Sequence, residues 1–135
     1  MNTFVLDKRL ATDSFLIGEK PLSQVRLMNN ALFPWFLLVP KKADRSELFD
    51  LSVADQICLI QEITEIAEAL KKKTGCDKIN IAAFGNQVEQ LHVHIIARFQ
   101  TDAAWPQPVW CCGKAPEPYE PSSELIDQWQ QVFQL

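Results

Sequence analysis

Positive charge is in deficit in this chain. Thirteen Lys and Arg against seventeen Asp and Glu leave a formal net charge of −4. That balance excludes a general surface for polymeric nucleic acid and a polybasic membrane anchor, though not a small anionic substrate held by local donors. Long apolar runs are missing, so no membrane span is expected. The start, Met1 to Arg9, has no basic segment followed by an apolar core, so no secretory signal is expected and a cytoplasmic location is. Cysteine occurs only at Cys58, Cys76, Cys111 and Cys112, with no C-x-x-C pair. Free thiols are the expectation, in place of a disulfide framework or a zinc site. Repeats and low-complexity linkers are absent too. A hydrophobic fraction of 47% and a charged fraction of 22% over 135 residues describe one globular domain, residues 1–135, with a real core.

The chain divides into short elements. Phe4 to Leu10 reads as a short strand or a short helix, and Thr12-Asp13-Ser14 as a turn. Phe15-Leu16-Ile17 is a strand stopped by Gly18-Glu19-Lys20-Pro21. Ser23 to Met28 and Phe36 to Val39 follow as strands, so the first three form an antiparallel meander. Residues 46 to 51 can make a helical turn opened by Ser46. Ser52, with Asp55 three residues on, caps a long helix. In that helix Ile57, Ile60, Ala67 and Leu70 recur at helical spacing, widened by Leu59, Ile63 and Ile66. Lys71-Lys72-Lys73 reads as a solvated end suited to the helix dipole, and Gly75 as its cap. Ile79 to Phe84 is a strand, Gly85-Asn86-Gln87 a polar turn, and Val88 begins another strand. Pro106 and Pro108 make the next stretch irregular. Ser122 or Ser123 caps a final helix with Leu125, Trp129, Val132 and Phe133 on one stripe.

Both histidines lie in Gln90-Leu91-His92-Val93-His94-Ile95-Ile96-Ala97-Arg98. On a strand, side chains alternate faces. Gln90, His92, His94 and Arg98 then share one face, and Leu91, Val93 and Ile95 pack the other. A lone histidine on such a strand is ordinary. Two on one face, with a glutamine in register, point to a site. An imidazole can attack phosphorus when one ring nitrogen is free and the other is held.

This stretch resembles the motif of the histidine triad (HIT) family, His-φ-His-φ-His-φ-φ with φ apolar, with Gln90 in place of the first histidine. Upstream, Arg26 to Pro40 looks like the family's strand–loop–strand, with an asparagine after the first strand. The long helix, strand, glycine turn and motif strand follow in the family's order, over roughly residues 4 to 110. The tail Asp102-x-x-Trp105-Pro106-x-Pro108-Val109-Trp110 is similar to that of a bacterial subgroup. The resemblance implies an α+β fold: an antiparallel sheet with one long helix, a short helix and a C-terminal helix, forming a homodimer. It implies a nucleotide substrate, hydrolysed or transferred at its α-phosphate, of the diadenosine polyphosphate or nucleoside phosphoramidate type, with no cofactor and no catalytic metal. By position, His92 would be the nucleophile and His94 would contact phosphate. Gln90 would brace the site, Asn29 would hold the ribose, and Asn86 and Gln87 would supply phosphate donors. A nucleotide-binding regulatory protein with little or no turnover is the alternative, and a purely structural dimer module a third reading.

The chain departs from the pattern twice. Gln90 cannot carry a proton near neutral pH. Phe36 stands where many members have a histidine supporting the nucleophile's second nitrogen, so a backbone carbonyl or another group must hold His92. Elsewhere, Arg98 is either a phosphate contact or a surface arginine. Trp105 and Trp110 are read as core or dimer packing in preference to base stacking. Cys111 and Cys112 are read as ordinary thiols, and His92 and His94 lack a third metal ligand.

Overall fold

The computed structural model describes residues 2–135. The central feature is one antiparallel sheet of five strands: β1 (Ser14–Glu19), β2 (Ser23–Met28), β3 (Trp35–Pro40), β4 (Lys78–Ala82) and β5 (Val93–Arg98). Their spatial order is β1-β2-β3-β5-β4. The first three form the expected meander. The histidine strand β5 inserts between β3 and β4, which leaves β4 on an outer edge.

Three helices accompany the sheet: α1 (Lys8–Asp13), α2 (Val53–Thr74) and α3 (Ser123–Phe133). The fold is therefore α+β, as expected. The N-terminal segment resolves as a helix that runs through Thr12 and Asp13, with Asp7 as its cap. The helical turn near residue 48 is a single 3₁₀ turn, Leu48–Asp50, held by Asp50 bonding back to Ser46 and Glu47. For α2, the Ser52 hydroxyl accepts from the Asp55 N–H, and Gly75 ends the helix at φ +66°, a conformation costly for any residue with a Cβ. Ser122 caps α3 through the Leu125 N–H.

One face of the sheet is covered by α2 and α3. Val25, Leu27, Phe36, Leu38, Val93 and Ile95 pack there against Leu59, Ile63, Ile66, Leu70, Trp129 and Phe133. The α2 stripe differs from the sequence reading at its N-terminal half. The buried arc is Leu59, Ile63, Ile66 and Leu70, whereas Ile57 and Ile60 are each 54% exposed. A helix resting on a flat sheet buries one arc of its surface, and this sequence carries more apolar residues than that arc holds. The opposite face of the sheet holds a smaller cluster of Leu10, Phe33, Trp35, Leu37, Val39, Ile96 and Val109. β1 bulges between Leu16 and Gly18, and a Cβ on Gly18 would lie 2.8 Å from that of Leu135. The glycine therefore lets the C-terminus close over β1.

Candidate active site

The site forms where β5 begins. Expected from Val88, the strand starts only at Val93. The preceding residues spend their hydrogen bonds elsewhere: the Leu91 N–H goes to the Arg45 carbonyl. The Gln90 side chain accepts from the Asp7 N–H and donates to the Val5 carbonyl, both at 2.9 Å. Gln90 thus fastens the N-terminal segment to the edge of the site. Its main-chain carbonyl does something more direct, lying 2.7 Å from His92 Nδ1. A carbonyl can only accept, so Nδ1 carries the proton and the lone pair of neutral His92 sits on Nε2. The group that holds His92, left open by the sequence, is therefore a backbone carbonyl two residues upstream.

His92 and His94 lie edge to face, with ring centroids 5.1 Å apart, and are 7% and 4% exposed. Register places Leu37 opposite His94 and Phe36 opposite Ile95. Phe36 therefore faces the helices, touching Trp129 and Phe133 at 4.8 and 4.9 Å between centroids, and does not stand behind His92. The β3 residue on the histidine face is Trp35. Its indole Nε1–H donates to His94 Nδ1 at 2.9 Å. The sequence reading missed Trp35 because Trp35 to Val39 is apolar throughout and shows no alternation. Odd-numbered positions paired with the histidine face would have found it. Burial, and secondarily the neighbouring His92, push His94 down to about 3, so its imidazole is neutral across the physiological range.

Aromatic side chains wall the pair. Trp110 sits 4.8 Å from His94 and 5.5 Å from Trp35, and Phe84 packs on Trp110 at 4.3 Å. Trp110 and Phe84 remain 43% and 52% exposed, so they line the approach while packing against it. His92 forms the base of a cleft of about 220 Å³ between Phe84 and the Leu48–Asp50 turn. An adjoining cleft is lined by Glu47, Asn86, Gln87 and Glu89, and neither cleft is lined by lysine or arginine. Asn86 and Gln87 are thus exposed beside the His92 cleft. Asn29 lines a separate hollow with Met28, Asn30, Asp13 and Trp35, and its Oδ1 accepts from the Tyr119 N–H.

Arg98 is neither a surface residue nor a phosphate ligand in waiting. It is 1% exposed and committed to Asp102, Asn80 and the Gln107 carbonyl. Phe33 and Trp105 flank its guanidinium. Burial alone would raise the Asp102 carboxyl. Hydrogen bonds from Arg98 and from the N–H groups of Phe99, Ala104 and Trp105 bring it down to about 2. The four cysteines are free thiols. Among the described residues no group of three His, Cys, Asp or Glu side chains forms a metal-ligand set, and no helix is long and apolar enough to cross a membrane.

An antiparallel α+β sheet with two imidazoles at the head of its inner strand defines the class of protein. More narrowly, the chain belongs to the HIT domain family, whose model matches residues 9–101. Its fold is that of solved histidine triad proteins. The protein from Bradyrhizobium japonicum is 43% identical, with 98% of this chain and 97% of that one covered and a TM-score of 0.91. The one from Sinorhizobium meliloti is 47% identical, with coverage of 98% and 96% and a TM-score of 0.90. A histidine triad protein from Marinobacter aquaeolei is 38% identical over 98% of both chains, at a TM-score of 0.93. No curated protein matches the chain. Family membership points to nucleotide binding and hydrolase or transferase chemistry.

Proposed function

We propose that this protein is a nucleotide hydrolase or nucleotidyl transferase in which His92 Nε2 attacks the α-phosphorus. The N–P bond forms as the bond from phosphorus to the leaving oxygen or nitrogen breaks. The leaving atom takes the electron pair and is protonated by solvent. Water then attacks phosphorus, expels His92 and releases the nucleoside monophosphate. The observation that carries this reading is the 2.7 Å contact between His92 Nδ1 and the Gln90 carbonyl. It leaves Nε2 nucleophilic, and the carbonyl dipole offsets the positive charge the ring acquires when Nε2 bonds phosphorus. His94 would contact the phosphoryl oxygens, Asn86 and Gln87 would add donors from the adjoining cleft, and Asn29 would hold the ribose. Gln90 serves the site as a brace.

Two substrate types fit this chemistry, a diadenosine polyphosphate and a nucleoside phosphoramidate. Glu47 and Glu89 line the cleft beside His92, and Arg45 lines the hollow next to it together with Glu89 and Gln90. No cofactor is required, and the location is cytoplasmic. A homodimer is proposed as well. The edge strand β4 has unpaired backbone on its outer side, Ile81 is exposed on it, and Val53, Ile57 and Ile60 make an exposed apolar stripe on α2.

The test is a His92-linked nucleotidyl adduct, trapped by an acid-free quench and located by mass spectrometry. His92→Ala should lower kcat by roughly 10⁴-fold or more, the scale on which loss of a nucleophile acts. Undiminished turnover by that variant defeats the mechanism. The near-complete burial of His92 and His94 favours a second reading, a regulatory nucleotide-binding protein. Calorimetric binding of a nucleoside monophosphate, with no turnover of either substrate type, would select it.

A further inference from the structure

The proposed reaction gives His94 a task at the phosphate but leaves open which of its nitrogens faces the substrate and in what protonation state. The geometry answers this through Trp35. An indole N–H can donate and cannot accept. At 2.9 Å from His94 Nδ1, it requires a lone pair there and thereby places the His94 proton on Nε2. The contact is buried on both sides, since Trp35 is 6% exposed, and an unpartnered indole N–H there would carry its full desolvation cost.

We propose that Trp35 is a positioning residue, one that holds His94 in the single neutral tautomer with its proton on Nε2. His94 is then a fixed hydrogen-bond donor toward the phosphoryl oxygens and does not carry protons during the reaction. This rests on the nucleotidyl-transfer reading for its consequence, but not for its geometry. Protonating His94 would put a second N–H at Nδ1, directly against the indole donor. The groups around the ring reinforce the neutral state. Leu37 and Trp35 face it from β3, Ala82 from β4, and Phe84 and Trp110 from the flanking loops. The titratable neighbour is His92, its ring centroid 5.1 Å away, and a proton added to either ring opposes one on the other. The two imidazoles thus hold opposite tautomers: His92 carries its proton on Nδ1, which donates to the Gln90 carbonyl, and His94 carries its proton on Nε2, because its Nδ1 accepts from Trp35.

Nitrogen-15 NMR of histidine-labelled protein tests this without substrate. The expected result is opposite tautomers for the two rings, with His94 neutral down to pH 5. In Trp35→Phe, His94 should lose its single tautomer and populate both neutral forms. Trp110→Phe, which alters packing on the same ring without touching the hydrogen bond, should leave the tautomer unchanged. If the protein turns over nucleotide, Trp35→Phe should lower kcat roughly tenfold or more with little change in KM. An unchanged His94 tautomer in a folded Trp35→Phe protein overturns the proposal, whatever the activity. Failure of the nucleophile reading would instead appear as absent turnover with both tautomers intact.

Discussion

Single residues in this site are defined by the atoms that hold them. His92 and His94 are chemically identical side chains two positions apart, yet one ring faces an acceptor and the other a donor. Their difference arises from Gln90 and Trp35, not from the imidazoles. The buried His94 also links the site to stability. Its folded-state value, about 3, lies below the ordinary 6.5. Between these values the unfolded chain binds a proton that the folded one refuses. Its contribution to stability is therefore fully present above about pH 6.5 and is lost as the pH falls toward 3, at up to about 1.4 kcal/mol per pH unit. Urea titrations at pH 7, 6 and 5 should show the parent protein weakening. The His94→Asn variant should have a shallower dependence over the same window, where Asp102 has not begun to titrate. Equal slopes for the two proteins would rule out a neutral buried His94.

Elements contribute by presenting faces and by fastening loops. β5 is apolar toward α2 and α3 and carries His94 toward the other side, with His92 just ahead of it, an alternation legible in the sequence. The strand's end does something its sequence did not disclose. Arg98 ties β5 to Asn80 on β4 and to the 102–107 loop, which leads into the turn that places Trp110 over His94. Replacing Arg98 with Met strands the buried Asp102 carboxylate and should cost about 3–5 kcal/mol in denaturant unfolding, the usual effect of removing one partner of a buried pair. A loss under about 1 kcal/mol would mean the loop is held by other contacts. The α2 helix shows the opposite case. Its caps, Ser52 and Gly75, stand where the sequence placed them, because capping is a local matter of one hydroxyl and one left-handed residue. Its buried face depended on what lay beneath, and Ile57 and Ile60 were left outside.

The whole molecule leaves several large apolar side chains exposed, two groups of them on β4 and α2. Ile81 on the outer strand is exposed, as are Val53, Ile57 and Ile60 on α2. In the proposed homodimer a second copy covers this surface, with β4 edges or α2 faces meeting across a twofold axis. Sedimentation velocity should give a dimer for the parent chain. A variant carrying both Ile57→Lys and Ile81→Lys should shift it to monomer with its far-UV spectrum intact. A monomeric parent at micromolar concentration would remove the proposal.

The sequence by itself determined the strands of the meander, the long capped helix, the final helix and the alternation that sets two histidines on one face. These depend on neighbours a few residues apart, and periodicity and capping report them directly. The tertiary structure decided how that face works. The Gln90 side chain went to the N-terminal segment while its carbonyl took His92. Trp35, hidden in an unbroken apolar run, reached His94, and Phe36 turned to the helices. Arg98 disappeared into the fold. The Gln90 side chain and Trp35 reach partners 85 and 59 positions away in sequence, and the side to which Phe36 turns follows strand register. Local spacing carries no information about which donor a folded chain will bring to which nitrogen.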